Sequence, residues 1–146
     1  MWRAPAEDDL KLSLSELELE AYAEAASREP GTETTAGMLA RGANYVRGFL
    51  RANPTVTLGP AGTIPASLVA PLMDYLCVDA IKRLPVTISD ERREARQQAV
   101  QTFRDAAKGV FLVESFGADD DASNAGHAAL ASSSEPRFTP EQLKGL

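Results

Sequence analysis

The sequence predicts an all-α fold, a compact bundle of about four helices followed by a flexible C-terminal arm. Aromatic residues make up only 6% of the 146 residues and alanine is plentiful, which favours helices over sheets. Several segments place apolar residues at helical spacing, and prolines interrupt the one stretch that could form strands. We therefore expect a helical domain at residues 13–116, preceded by an N-terminal arm at residues 1–12.

The first helix is predicted within residues 13–27. A capping box, in which a serine and the glutamate three residues later satisfy each other's backbone amides, could begin it at either of two places. One box pairs Ser13 with Glu16, and the other pairs Ser15 with Glu18. The apolar side of this helix would consist of Leu14, Leu17, Tyr22 and Ala25.

The second helix is predicted at residues 35–52. Its apolar face would contain Leu39, Ala43, Val46, Phe49 and Leu50. Its opposite face would carry Arg41, Asn44, Arg47 and Arg51, and the three arginines are a candidate face toward a neighbouring subunit or a DNA channel. Three glycines, Gly37, Gly42 and Gly48, each weaken the helix by about 1 kcal/mol. We expect close packing to compensate for them; a marginal helix is the alternative.

The third helix is predicted at residues 66–85, after a structured loop at residues 53–65 with at most one short extended piece. This helix is apolar nearly all round, which is typical of a central, buried helix. Pro71 requires that the helix either begins near it or bends there, and Pro85 ends it.

The fourth helix is predicted to begin after Ser89 and to end before Gly109. Its apolar stripe would be Ala95, Ala99, Val100, Phe103, Ala106 and Ala107. The apolar run at residues 110–116 would be either a β-segment that pairs with another chain or a strap across the bundle.

Small and acidic residues predict a flexible linker at residues 117–135. The end of the chain, residues 136–146, then carries a helix-start signal, with Thr139 as N-cap and Pro140 in the first helical position. This end is a candidate docking segment with the anchor residues Arg137, Phe138, Leu143, Lys144 and Leu146. The alternative is a frayed terminus that contains leucines by chance.

The formal net charge of −6 disfavours a protein that wraps nucleic acid. The charge is unevenly distributed, at −6, +3, 0 and −3 for residues 1–35, 36–88, 89–116 and 117–146. An acidic N-terminal region and a basic central region suit a subunit that binds other proteins through faces of opposite charge. The charges could equally serve solubility.

No residues in the sequence predict a catalytic, metal or cofactor site. The single histidine, His127, lies in the linker, and the single cysteine, Cys77, lies on the most apolar helix, where a buried thiol is expected. Asp74 and Asp79 fall on different helix faces and should pair with arginines or face a neighbouring subunit. The acidic run that starts at Asp119 lacks the spacing of a calcium loop.

The cysteine count and the hydropathy pattern predict a protein without an internal disulfide, a signal peptide or a membrane-spanning segment. We expect it to be soluble and made in the cytoplasm. The arginines of the second helix could contact DNA, but that helix offers no aromatic platform, so a solvated arginine face is the preferred interpretation.

The order of the segments resembles that of the small, Mu-like head–tail adaptor (connector) proteins of tailed bacteriophages. The resemblance covers residues 6–114 and is carried by "AEDDLKLSLSELELEAY", "ARGANYVRGFLRANP", "LGPAGTIP", "AIKRLPV" and "ERREARQQAVQTFRDAAKGVFLVE". The end "RFTPEQLKGL" is also similar to the termini of such proteins, whereas many short relatives lack the preceding insert "DDDASNAGHAALASSS".

The resemblance implies a non-catalytic, all-α virion protein located at the head–tail junction and made in the host cytoplasm. Such a protein assembles with itself, commonly as a ring of about twelve copies, beneath the portal protein. Its other partner would be a tail-proximal connector or tail terminator protein, and packaged DNA would pass nearby without sequence readout. A small regulatory or chaperone-like protein-binding module is the alternative function, and an enzyme is disfavoured.

Overall fold

Four α-helices and two very short strands form residues 1–117, the part of the chain that the structure, a computed structural model, describes. The helices are α1 (Glu16–Arg28), α2 (Thr35–Leu50), α3 (Val69–Ile81) and α4 (Asp90–Lys108). The strands β1 (Trp2–Arg3) and β2 (Ile64–Pro65) pair antiparallel, and 3-10 helices occupy Glu7–Leu12 and Ala66–Leu68. The predicted all-α bundle of about four helices is confirmed.

Local sequence signals set the ends of the helices. Of the two predicted capping boxes, the structure uses the second: the Ser15 hydroxyl accepts from the Glu18 amide at 3.2 Å, and the Glu18 carboxylate accepts from the Ser15 amide at 2.9 Å. Ser89 caps α4 in the predicted manner. Gly109 ends α4 with a φ of +81°, a conformation that favours glycine.

The core is centred on α3, as its apolar sequence predicts. This helix packs against α4, α2 and the first 3-10 helix. Pro71 is its third residue, within the first turn, where the missing N–H group leaves no helical hydrogen bond unmade. The largest fully buried side chains around it include Tyr22, Phe103, Leu10, Met38 and Leu50.

Close packing against a neighbouring helix accounts for one of the three glycines of α2. A Cβ atom on Gly37 would meet only the side chains of Glu33 and Thr34, at 3.3 Å, just before the helix begins. A Cβ atom on Gly42 would lie 2.9 Å from the side chains of both Leu72 and Leu76, so glycine lets α2 approach α3. A Cβ atom on Gly48 would meet nothing within 4 Å. The prediction of close packing is therefore confirmed for Gly42 and wrong for Gly48.

The N-terminal residues 1–12 are not an arm, and this prediction is corrected. Leu10 is fully buried, and the backbone of Trp2 and Arg3 pairs with β2. The Trp2 indole also donates a 2.7 Å hydrogen bond to the carbonyl of Glu114. These contacts make the N-terminal segment part of the same compact unit, Met1–Phe116, because they bury its apolar side chains.

The run after α4 is a strap, one of the two predicted alternatives. We use "the strap" for residues 110–116. The Phe116 amide donates to the Thr57 carbonyl at 2.8 Å, and the Ser115 hydroxyl accepts from the Thr57 amide at 2.9 Å. The strap therefore ties the end of α4 to the loop between α2 and α3. The predicted linker beyond residue 117 and the predicted docking segment at residues 136–146 lie outside the described residues.

Candidate functional site: the tyrosine–arginine groove

The three arginines predicted to share one face of α2 occupy three different environments. Arg47 is only 7% exposed, and its guanidinium donates to the carbonyls of Gly59, Pro60 and Thr63 at 2.8–3.1 Å. It also lies 5.9 Å from the centre of the Trp2 ring. Arg47 therefore stabilises the loop before β2, and its predicted place on a subunit or DNA-channel face is wrong.

The other two arginines of α2 remain accessible, but only one of them lacks a charged partner. Arg41 donates to the Glu33 carboxylate at 2.9 and 3.0 Å and to Asp79 at 3.2 Å. These hydrogen bonds raise the pKa of Arg41. Arg51, by contrast, is exposed at the C-terminal end of α2 and has no ion pair within residues 1–117.

Asp79 joins α3 to both neighbouring helices. One carboxylate oxygen pairs with Arg41 of α2, and the other pairs with Arg96 of α4 at 3.2 Å. This arrangement confirms the expectation that Asp79 pairs with arginines. Asp74, the other aspartate of α3, instead accepts a hydrogen bond from the Ser13 hydroxyl at 2.7 Å.

Beside Arg96 lies a groove of about 380 Å³ to which α2, α3 and α4 all contribute. We call it the tyrosine–arginine groove, and its lining residues are Tyr45, Tyr75, Arg96, Gln97, Val100 and Arg104. Arg96, Val100 and Arg104 are spaced four residues apart on α4, so they fall on one side of the helix. Tyr45 and Tyr75 supply the other wall.

The aromatic rings of the groove are held in a fixed arrangement. Tyr45 and Tyr75 stack with 4.7 Å between ring centres, and the Arg96 guanidinium lies 4.3 Å from the centre of the Tyr75 ring. Phe49 and the buried Phe103 pack edge-on against Tyr45. Because each tyrosine ring already contacts other rings or a guanidinium, the groove is preorganised before any ligand binds.

The electrostatics of the groove are positive. Arg104 forms no hydrogen bond or ion pair within the described part of the chain, whereas Arg96 is neutralised in part by Asp79. Burial and the neighbouring Tyr75 raise the pKa of the Tyr45 hydroxyl, although Arg104 and Arg96 oppose that change. Tyr45 therefore stays protonated at neutral pH, and the groove presents hydroxyl and guanidinium donors.

This arrangement suits binding, not proton transfer or nucleophilic chemistry. Tyrosine and arginine in a partly desolvated, rigid pocket are the residues that contribute most at protein interfaces. The groove is less suited to stacking against a nucleic acid base, because the Tyr75 ring already contacts Tyr45 and Arg96. The groove thus fits an acidic protein surface.

The sequence did not predict this groove. Its aromatic wall combines Tyr45 of α2 with Tyr75 of α3, and its arginines come from α4 and not from α2. The spacing of Arg96, Val100 and Arg104 was a signal in the sequence, but the tyrosines join it only through the packing of three helices.

The single cysteine and the acidic residues form no reactive or metal-binding centre in the described part of the chain. Cys77 is 2% exposed, as predicted, and burial raises the pKa of its thiol to about 11. Within residues 1–117 no cluster of histidine, cysteine or acidic residues could hold a metal ion. His127, the acidic run from Asp119 and the docking anchors from Arg137 to Leu146 lie outside the described residues.

Comparisons with known proteins give no relative. No family model matches the chain, and neither a curated protein nor a solved structure matches it. A search of the described helices for one that is long and apolar enough to cross a membrane found none.

Proposed function

We propose that the protein is a virion structural protein, a head–tail connector subunit that assembles as a ring between portal and tail. The resemblance of its segment order to phage adaptors motivates the proposal. The observation that supports it most directly is the strap, because two of its residues, Leu112 and Val113, have backbone groups with no hydrogen bond to the described part, and another chain could pair with them.

Residues 110–113 of the strap alternate between exposed and partly buried side chains, as an extended segment does. Phe111 and Val113 pack against the core, whereas Val110 is 72% exposed and Leu112 is 84% exposed. The backbone groups of Leu112 and Val113 form no hydrogen bond with any residue of the described part. An incoming strand could pair with these groups and cover Leu112.

In this proposal the C-terminal residues supply a second contact. The anchors Arg137, Phe138, Leu143, Lys144 and Leu146 would bind the portal or a neighbouring subunit. The tail-proximal connector or tail terminator protein would bind the opposite side of the ring.

The proposed DNA contact is reduced to one of the three arginines of α2. Arg47 is buried, and Arg41 is held by Glu33 and Asp79, so Arg51 is the one of the three that has no ion pair within residues 1–117 and could line a channel. One such arginine per subunit would give a weak contact with the DNA backbone and no sequence readout.

A small regulatory or chaperone-like binding module is the second candidate. The tyrosine–arginine groove favours it, because a preorganised pocket of about 380 Å³ can accept side chains of a partner. The two functions differ in stoichiometry: a connector forms a closed ring, whereas a regulator binds its client in a small complex.

Electron microscopy of the purified protein, alone and with its portal protein, tests the connector function. We expect rings or collars on the portal, and particles that incorporate the protein. A protein that stays monomeric and never joins particles would refute the connector function.

Matched variants test the role of the strap. Leu112→Asp should abolish incorporation into particles without altering the helical circular dichroism, because Leu112 contacts solvent and not the core. Val86→Asp introduces the same charge at another exposed apolar residue, 52% exposed, and should leave incorporation unchanged. Deletion of residues 137–146 should also abolish incorporation. If the Leu112 variant and the deletion variant are both incorporated into particles normally, the proposal loses its structural support.

A further inference from the structure

A second groove, with charge opposite to that of the tyrosine–arginine groove, lies between α1 and the first 3-10 helix. It has a volume of about 230 Å³, and we call it the acidic groove. Its lining residues are Glu7, Asp8, Lys11, Glu16, Leu19, Glu20, Ala23 and Thr35. The two grooves share no residue, so a single copy can present both at the same time.

The acidic groove is negative because most of its carboxylates lack a cation. Asp8 pairs with Lys11 at 3.3 Å, but Glu7, Glu16 and Glu20 form no ion pair or hydrogen bond through their carboxylates within residues 1–117. Leu19, which is partly buried, supplies an apolar surface beside them. A charged rim around an apolar centre is the usual composition of a protein interface.

The two grooves match in both charge and chemistry. Within residues 1–117, Arg104 pairs with no anion, and Glu16 and Glu20 pair with no cation. Val100 and the tyrosine rings could cover Leu19, while the guanidinium of Arg104 and the hydroxyl of Tyr45 face carboxylates. Opposite potentials on two separate patches of one chain favour contact between copies and disfavour contact between identical patches.

We propose that the acidic groove of one copy binds the tyrosine–arginine groove of the next copy. Such a contact is heterologous, since different patches meet, and it generates a closed ring when the rotation between copies closes. The inference deepens the proposed function by naming the contact between subunits, but its test requires no portal protein.

The experiment measures the self-association of the purified full chain by sedimentation velocity at low and high salt. Wild-type protein should associate, and about 0.5 M salt should weaken the association because the contact is electrostatic. Glu20→Arg and Arg104→Glu should each raise the dissociation constant at least about tenfold. Glu94→Arg and Arg83→Glu make the same charge changes on exposed residues outside both grooves and should change it less than about twofold.

If exchanging the two charges restores self-association, then residues 20 and 104 face each other across the contact between copies. A chain that carries both Glu20→Arg and Arg104→Glu should regain most of the self-association, and an equimolar mixture of the two single variants should associate where neither associates alone. Circular dichroism melting of each variant checks that folding is retained, which we expect because both residues are exposed.

Three results would overturn the proposal: a wild-type chain that stays monomeric, control variants that weaken association as much as the groove variants, or single variants that associate normally. The outcome is separable from that of the connector function. If the protein binds its portal protein but the groove variants self-associate normally, the connector function is retained and the proposed contact between the grooves is rejected.

Discussion

The guanidinium of Arg92 on α4 donates two hydrogen bonds of 2.9 Å to the carboxylate of Glu18 on α1, across 74 residues of sequence. Glu18 also completes the capping box of α1, so one side chain both begins a helix and fixes it to another. The hydrogen bonds from Arg92 lower the pKa of Glu18 to about 2.

The first prediction concerns the pH dependence of stability. Because the pKa of Glu18 is lower in the folded state than its ordinary value of 4.5, its contribution is fully present above about pH 4.5 and is lost as the pH falls toward 2. Glu18→Gln should lower the free energy of unfolding by about 1–2 kcal/mol at pH 7, a value reduced for partial exposure. Urea denaturation at pH 7 and near pH 2 measures the difference, which should nearly vanish at the lower pH. An equal loss at both values would contradict the assignment.

The second prediction compares two glycines of α2. Gly42→Ala should destabilise the protein by about 1–3 kcal/mol, because the new Cβ atom would lie 2.9 Å from Leu72 and Leu76. Gly48→Ala should stabilise it by about 0.5–1 kcal/mol, because space is open there and alanine favours the helix. Thermal melts of both variants test this, and changes of the same sign would be inconsistent with it.

The third prediction concerns the buried arginine. Arg47→Met should lower the free energy of unfolding by about 2–4 kcal/mol, because three loop carbonyls lose their donor. Arg51→Met, four residues later and exposed, is the matched control and should change it by less than about 0.5 kcal/mol. Chemical denaturation of the two variants provides the measurement. A large effect at Arg51 and a small one at Arg47 would reverse our assignment of the two side chains.

The fourth prediction uses the single cysteine. The thiol of Cys77 is buried and its pKa is raised to about 11, so little thiolate forms at pH 8. Reaction with a thiol reagent at pH 8 should be at least about 100-fold slower in the native protein than in denaturant. Absorbance of the released chromophore follows the reaction. Rapid labelling of the native chain would show that α3 is not the central helix.

Features that depend on neighbouring residues in the chain were predictable from the sequence. The start of α4 at Ser89 and its end at Gly109 require only a capping hydroxyl and a residue that adopts positive φ. The burial of α3 also follows from its composition, because a helix that is apolar nearly all round is unstable in water.

Features that depend on distant contacts were not predictable. Arg47 is charged, and only the carbonyls of the loop before β2 make its burial favourable, although its position four residues after the core residue Ala43 was a signal. Leu17 was predicted on the apolar side of α1 but is 77% exposed, because α1 turns the side that carries Leu19, Tyr22 and Ala26 toward the core. Residues 1–12 show no periodicity, and their order comes from β2 and the strap.

Glu114 connects the beginning and the end of the compact unit. Its carboxylate lies 2.7 Å from the amino group of Met1 and 3.0 Å from the Ser67 hydroxyl, and its carbonyl accepts from Trp2. A mechanical load applied at Gly117 would therefore be carried by β1 and the 3-10 helix at Ala66–Leu68 as well as by α4. Resistance to pulling at that point would be set by several hydrogen bonds that must break together.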